Sequence, residues 1–330
     1  MEVVLLAVSF AVILAGALLF TNAVEWAGNK LGVGEGATGS ILAAVGTAMP
    51  ETLIPIVAII GGAEGSEDVA IGAIIGAPFL LATVAMALVG ISALAFKRRR
   101  EQGTSLRVHV PTLDRDLVFF LIFFAAGILI GVVVPEEVHI PLAIVLVVAY
   151  AGYVRATLRG GGEVQEAETI GPLYMDRTPG DDPPGATVVI QLIIGLAAIV
   201  GGAHLFVEEL IHVAESIGLE PLVLSLVLAP LATELPEKAN SFFWVKDGKD
   251  SLALGNITGA MVFQSTIPIA AGLLITDWDL SSYAIVSGVL GLAGGAVAYW
   301  ALRLRRRFEV IPILIWSALF GAFIAYVAVA

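Results

Sequence analysis

The chain has 330 residues, 58% of them hydrophobic and 14% charged, with a mean hydropathy of +0.95. This composition is too apolar for a soluble domain and indicates a protein that crosses the lipid bilayer several times. The net charge of −12 argues against nucleic acid as a partner, and the absence of cysteine excludes disulfides, iron–sulfur clusters and thiolate zinc sites.

Ten apolar segments follow one another, each about the ~20 residues that cross a hydrocarbon core. They cover 3–20, 37–60, 68–95, 116–135, 139–158, 186–207, 221–244, 251–275, 280–302 and 308–329. The first has an acidic leader, so we interpret it as a span and not as a cleaved signal peptide. Residues 159–185 are rich in Gly, Pro and acid, which predicts a flexible cytoplasmic connector between five-span halves at 1–158 and 186–330.

Charge is distributed unequally between the connections. All 17 Lys and Arg residues except Lys238 lie at odd-numbered connections, whereas the even-numbered ones hold only acidic residues. By the positive-inside rule, the odd-numbered connections are cytoplasmic and both termini lie outside the cell. We therefore expect a multi-pass protein of the plasma membrane.

The two halves repeat one another. Thr47, Pro50 and Glu51 recur 186 residues later as Thr233, Pro236 and Glu237, and Ala70-Ile71-Gly72 recurs 183 residues later as Ala253-Leu254-Gly255. An ordered series at nearly constant spacing indicates an internal duplication. Because each half has an odd number of spans, the second half enters the membrane from the opposite side. This is the inverted-topology repeat that many secondary transporters use.

The second copy of the motif carries charge at membrane depth. Glu234, Glu237 and Lys238 lie beside two prolines in the stretch LAPLATELPEKAN. Charged residues inside a membrane are costly and usually functional, and proline leaves a carbonyl without its helical donor. Carboxylates and free carbonyls are hard oxygen ligands, which suit a hard cation such as Ca²⁺.

The motifs GTAMPE and ATELPE, followed by AIGAIIGAPF and ALGNITGAMVF, resemble the two alpha repeats of the Ca²⁺/cation antiporter superfamily. The most similar branch is the sodium/calcium exchangers. The resemblance implies alpha repeats at about 37–95 and 221–275 and ion sites between spans 2, 3, 7 and 8. It also implies that Glu51 and Glu237 coordinate Ca²⁺, and that Thr47 and Thr233 supply backbone carbonyls.

Several positions depart from the exchanger pattern. Hydroxyl or amide groups of the family are replaced by Ala48, Glu234, Ala73, Ala77, Ala260, Leu81 and Gln264, whereas Asn256 is kept. Most hydroxyls that complete Na⁺ sites in the family are therefore missing. We include Glu234, Asn256 and Gln264 with the four motif residues as candidate metal-site residues.

The counter-ion is H⁺ or Na⁺. Carboxylates close together in a poorly solvated pocket cannot all stay ionised once a metal leaves, so Glu51, Glu234 and Glu237 are candidates for proton uptake. Lys238 follows Glu234 by four residues and could pair with it or compete as a tethered cation. We expect the simpler role, in which Lys238 extends to the nearby cytoplasmic interface.

Two further patterns predict structure. Gly72, Gly76, Gly255 and Gly259 have a spacing that favours close helix packing. Asp68 and Asp250 begin spans 3 and 8 and are interpreted as helix N-caps.

We therefore predict an all-α, ten-span antiporter that exports Ca²⁺ or another divalent cation by alternating access. No cofactor and no enzymatic activity are expected; the partners are the transported cations and the lipid bilayer. The oligomeric state is left open, and a monomer is compatible with the sequence. Two alternatives remain: an intramembrane enzyme that uses the paired Glu residues, and a cation channel.

Overall fold

The computed structural model describes residues 1–31, 49–159, 171–176 and 182–329, except the side chains of 49, 50, 158, 159 and 235–237. The helices are α1 Glu2–Lys30, α2 Met49–Gly61, α3 Ser66–Leu80, α4 Met86–Ala95, α5 Val110–Val133, α6 His139–Arg159, α7 Gly185–Ile217, α8 Pro221–Lys246, α9 Asp250–Gln264, α10 Ile267–Ile275, α11 Ser282–Ala298 and α12 Val310–Val329. Leu81–Ala85 and Tyr299–Arg305 are π-helical, and Glu136–Val138 is a 3₁₀ turn.

The helices confirm the ten-span, all-α prediction. In the described residues, eight helical stretches are long and apolar enough to cross a membrane, and Glu51–Gly61 and Pro221–Glu234 are shorter apolar helices within predicted spans 2 and 7. Residues 32–48 of predicted span 2 lie outside the described residues. In span 7 the helix continues past Glu234 to Lys246.

Helices α1 and α7, the first of each half, run antiparallel. Gly16 of α1 lies against Gly195 and Ile199 of α7, and Ile13 lies against Gly202, so the contact moves backward along α7 as it moves forward along α1. An inverted repeat requires this direction for spans 1 and 6. The boundaries of the two halves at 158 and 186 stay predictions.

The connections also separate as the charge pattern predicts. Ion pairs link odd-numbered connections: Lys30–Asp182 at 2.5 Å, Arg303–Asp114 at 2.9 Å and Arg100–Asp250 at 2.7 Å. On the even-numbered side, Glu67 accepts a hydrogen bond from the backbone N–H of Asp277 at 2.7 Å. These contacts group odd-numbered connections with one another and even-numbered ones with one another, and which set is cytoplasmic stays a prediction.

Asp250 does not cap its helix. Lys249 occupies the cap position, and both Asp250 carboxylate oxygens accept hydrogen bonds from Arg100 at 2.7 and 2.9 Å. Arg100 also donates to the carbonyls of Val245 and Gly103. Both charged side chains are fully buried. A buried, hydrogen-bonded ion pair therefore ties the span 3–4 connection to the start of span 8. Asp68 likewise lies inside its helix, which starts after Gly65.

The two larger hydrophobic clusters among the described residues hold most of the helices together. The larger cluster contains residues of α3–α6 and of α8–α12. Among the described residues it contains none from α1 or α7. A smaller cluster joins α1 and α7 to α2, α3 and α8, through residues such as Ile13, Phe206, Ile54, Ala73 and Ala229. The α1–α7 pair is therefore a separate packing unit, in contact with the helices that carry the predicted site.

Part of the connector makes contacts that its composition does not predict. The backbone of 171–176 is bound between the ends of α1 and α7: Gly171 accepts from Trp26 at 2.9 Å, Tyr174 donates to Asn22 at 3.2 Å and Met175 donates to Gln191 at 2.8 Å. Leu173 is buried beside Trp26. Backbone groups that are paired by side chains of two helices give this segment a fixed position.

Candidate functional site

Spans 3 and 8 are interrupted at corresponding positions. The π-helical turn begins at Leu81, and α9 ends at Gln264, which is 183 residues later, the spacing of this part of the repeat. Thr83 donates to the carbonyl of Phe79 at 2.6 Å, and Thr266 donates to that of Val262 at 2.9 Å. Such breaks in regular helices often mark functional sites, because they free backbone groups for other partners.

Glycines bring spans 3 and 7 into backbone contact. A Cβ placed at Gly76 would lie 2.2 Å from the carbonyl oxygen of Leu226, and one at Gly72 would lie 2.6 Å from that of Leu222. Ser225 donates to the carbonyl of Val69 at 2.7 Å in the same seam. The packing prediction is thus confirmed for Gly72 and Gly76; no described atom lies within contact distance of a Cβ at Gly255 or Gly259.

Proline explains why the Leu226 carbonyl is available to this contact. Pro230 follows Leu226 by four residues and has no N–H, so that carbonyl has no helical donor. Gly76 lets span 3 approach the same carbonyl directly. The sequence therefore builds a close crossing beside the predicted site.

A small cavity at this crossing brings two predicted site residues together. Glu51 and Thr233 line it with Ile54, Ala73, Ala77, Ala229 and Pro230. Glu51 is 7% exposed, and the Thr233 hydroxyl donates to the carbonyl of Ala229 at 3.3 Å. The cavity thus combines a buried carboxylate and a hydroxyl oxygen with methyl groups where the family pattern has polar side chains.

The other predicted residues form a second group. The Lys238 ammonium lies 3.2 Å from the Glu234 carboxylate and donates to the side-chain oxygen of Asn256 at 3.0 Å. The Gln264 amide donates to the second oxygen of Glu234 at 3.1 Å. Side chains from α8 and α9 therefore form one hydrogen-bonded cluster, which we call the Glu234–Lys238 cluster.

The interfacial role expected for Lys238 is wrong. Lys238 is 2% exposed, and its ammonium group is turned toward Glu234 and Asn256. A second cavity adjoins the cluster, lined by Leu80, Leu81, Val84, Ala85, Leu88, Pro230, Glu234 and Lys238. Pro230 lines both cavities.

Two predicted ligands cannot be placed. Thr47 lies outside the described residues, and Glu237 belongs to α8 but its side chain is not described. In the described part of the chain, no three Asp, Glu or His side chains form a group that could hold a metal ion. A metal centre here depends on Glu51, on neutral oxygens and on the predicted contribution of Glu237.

The sequence interpretation missed a buried carboxylate on α5. Asp116 is 2% exposed and accepts hydrogen bonds from Tyr153 of α6 and Thr258 of α9, both at 2.9 Å. Arg115 pairs with it at 3.1 Å. Its position at the start of an apolar segment was the available signal. Through these contacts with α6 and α9, Asp116 fixes α9 relative to spans 4 and 5.

Comparisons with known proteins agree with this architecture. The family model "Sodium/calcium exchanger protein" matches residues 1–159 and 187–330. The sodium/calcium exchanger MaX1 of Methanosarcina acetivorans is 26% identical over 78% of this chain and 80% of its own length. The putative antiporter CaxA of Alkalimonas amylolytica is 28% identical over 42% of this chain, a match that spans only 46% of that relative.

Solved structures show the same fold. The H⁺/Ca²⁺ exchanger CAX superposes with a TM-score of 0.76 at 19% identity, covering all of this chain and 82% of that one. The sodium–calcium exchanger NCX_Mj superposes with a TM-score of 0.58 at 19% identity, covering 98% of both chains. The family model covers both halves, and the matched proteins are transporters. The chain therefore belongs to the sodium/calcium exchanger family of membrane transporters and is not an enzyme.

Proposed function

We propose that this protein exchanges Ca²⁺, or a divalent cation of similar chemistry, for protons by alternating access. The observation that carries the proposal is the buried Glu51 carboxylate in a cavity shared with Thr233, at the crossing of spans 2, 3 and 7. A carboxylate and neutral oxygens at membrane depth suit a hard cation.

In this proposal, Glu51 and Glu237 are the two carboxylates that balance a divalent charge. Thr47 and Thr233 supply neutral oxygens, as the corresponding residues of the two repeats. The other predicted metal-site residues, Asn256, Gln264 and Glu234, lie in the neighbouring Glu234–Lys238 cluster, where Gln264 donates a hydrogen bond to Glu234.

Protons are favoured as counter-ion by the chemistry of the cavity wall. Ala73 and Ala77 present methyl groups to the cavity that holds Glu51, so they offer no oxygen to a Na⁺ ion. When the metal leaves, its charge must be replaced. Lys238 already provides a positive charge 3.2 Å from Glu234. We therefore assign proton uptake to Glu51 and Glu237, and not to Glu234 as the sequence suggested.

The packing of the helices suggests which of them move during transport. The α1–α7 pair has its own small cluster against α2, α3 and α8, whereas the other spans share the larger core. We propose that the pair shifts as a unit across the site-bearing helices. The export direction rests on the cytoplasmic assignment of the odd-numbered connections, as does the placement in the plasma membrane with both termini outside.

The test is uptake of radiolabelled Ca²⁺ into proteoliposomes under separately imposed H⁺ and Na⁺ gradients. Uptake driven by a pH gradient without Na⁺ supports the proposal. Uptake driven by Na⁺ at equal pH, and insensitive to a proton ionophore, would assign Na⁺ as the counter-ion instead. A flux that needs no counter-ion on the opposite side would indicate the channel alternative.

A further inference from the structure

A permanently attached cation lies in the membrane between spans 7 and 8. The ammonium group of Lys238 meets a carboxylate oxygen of Glu234 at 3.2 Å and the amide oxygen of Asn256 at 3.0 Å. The Gln264 side-chain amide donates a hydrogen bond to the other carboxylate oxygen of Glu234 at 3.1 Å. Lys238 and Glu234 are both nearly inaccessible to solvent, so two adjacent opposite charges are buried together.

The ligands of this ammonium are those of an alkali cation. A carboxylate oxygen and a neutral amide oxygen converge on one compact positive charge, in a pocket screened from water. A lysine ammonium is a compact point charge on a flexible stem. An untethered monovalent cation would meet the same oxygens if the stem were absent.

Space for such a cation adjoins the cluster. The cavity beside Glu234 and Lys238 is otherwise lined by apolar residues of spans 3 and 7, including Leu80, Val84 and Leu88. Shortening the Lys238 side chain would extend this cavity toward the Glu234 carboxylate. A cation with part of its water shell would then have room and a charged partner.

We propose that the Lys238 ammonium occupies a monovalent-cation site formed by Glu234 and Asn256, and thereby keeps Na⁺ and K⁺ out of it. Gln264 is a positioning residue that orients the carboxylate. Lys238 then determines ion specificity: one monovalent charge stays bound in every transport cycle, and the exchanged ions use the neighbouring Glu51 cavity. This consequence for transport rests on the proposed antiport, whereas the cation site does not.

The first test measures cation binding without transport. Wild type, Lys238→Ala and the control Lys246→Ala are purified in detergent with a chelator. NaCl or KCl then replaces choline chloride at constant ionic strength. Lys246 is a suitable control because it lies on the same helix, over the Phe96 and Phe243 rings. The readouts are the thermal unfolding midpoint and binding of radiolabelled Na⁺.

Lys238→Ala should unfold at a lower temperature in choline, because Glu234 loses its buried partner. Its midpoint should rise with Na⁺ or K⁺ by a few degrees in a saturable way, beyond any rise in the two reference proteins, since ligand that binds only the folded state stabilises it. Adding Glu234→Gln should abolish this extra rise.

Equal salt responses of Lys238→Ala and wild type would overturn the proposal. If Lys238→Ala folds only with Na⁺ or K⁺, the proposal is supported. If Lys238→Ala fails to fold with every salt while the neutral pair Glu234→Gln/Lys238→Met does fold, Lys238 is only a structural partner and the proposal is wrong.

The second test separates the site from the antiport. In proteoliposomes at equal pH, a Na⁺ gradient should drive Ca²⁺ uptake by Lys238→Ala and not by Lys246→Ala. If wild type transports Ca²⁺ but Lys238→Ala gains no cation-specific stabilisation, the site is wrong and the antiport stands. If the stabilisation appears but wild type moves no Ca²⁺ under any gradient, the antiport is wrong and the site stands.

Discussion

The close crossing of spans 3 and 7 can be tested by adding one methyl group. In Gly76→Ala, the new Cβ would lie 2.2 Å from the Leu226 carbonyl oxygen, about 1.2 Å inside the 3.4 Å at which ordinary contact begins. The obstacle is backbone, so no side-chain rotation removes it. The helices must separate by about 1 Å, and overpacking of this kind costs roughly 1–3 kcal/mol of folding free energy.

The same displacement should also weaken transport. Gly76 precedes Ala77, which lines the cavity with Glu51 and Thr233, so the walls of the site move apart. In enzymes, a misplacement of 1 Å can lower a rate by about 10²-fold, and we expect a Ca²⁺ flux reduced by up to that factor.

The assay compares Ca²⁺ flux per folded protein in proteoliposomes with the unfolding midpoint in detergent. Gly152→Ala on α6 is the matched control, because no described atom lies within 4 Å of its added Cβ. Wild-type flux and midpoint in Gly76→Ala would refute the view that this crossing sets the geometry of the site.

Three other predictions follow from contacts outside the cavity. Arg100→Met leaves Asp250 as a buried charge without its ion-pair partner and should lower the free energy of unfolding by about 3–5 kcal/mol. Adding Asp250→Leu should recover much of that loss, and equal unfolding midpoints for the single and double variants would contradict this prediction. Trp26→Phe removes the N–H bound to the connector and should increase proteolysis within 171–176, and an unchanged cleavage rate would show that this bond does not hold the segment. Cysteines in 61–67 should react with an impermeant reagent from outside and those in 160–185 only after permeabilisation; the reverse pattern would invert the topology.

Hydropathy was sufficient to predict the spans, whereas their direction across the membrane stays a prediction from the charge pattern. A run of about twenty apolar residues has few alternatives to a membrane helix, and basic residues mark the connections that lie on one face. The inverted repeat followed from the spacing of Thr47 and Thr233 and from an odd number of spans per half. These properties depend on local sequence, so packing does not alter them.

Contacts between residues far apart in sequence could not be predicted from hydropathy, charge or repeat spacing. Lys238 was assigned to the interface from its position along span 7, but its partner Asn256 belongs to another helix. Asp116 is held by Tyr153 and Thr258, which are 37 and 142 residues away in sequence. The hydrophobic periodicity of a sequence does not indicate contacts between side chains on different helices.

The contacts of the connector could not be predicted for a related reason. Its composition is typical of a flexible linker, and composition says nothing about partners elsewhere. Asn22 and Gln191 supply side-chain oxygens to the backbone of 171–176, and Leu173 finds a buried position beside Trp26. These partners lie far from 171–176 in sequence, so composition could not indicate them.

The central claim is that two carboxylates, one from each repeat, balance the charge of one divalent cation. Ca²⁺ flux through Glu51→Gln and Glu237→Gln, reconstituted at equal amounts of folded protein, tests it most directly, with Glu208→Gln on the even-numbered side as a control that retains wild-type flux. Each motif variant should lose divalent transport, because it removes one of the two charges and leaves the fold intact. Near-wild-type flux in either variant would contradict the account.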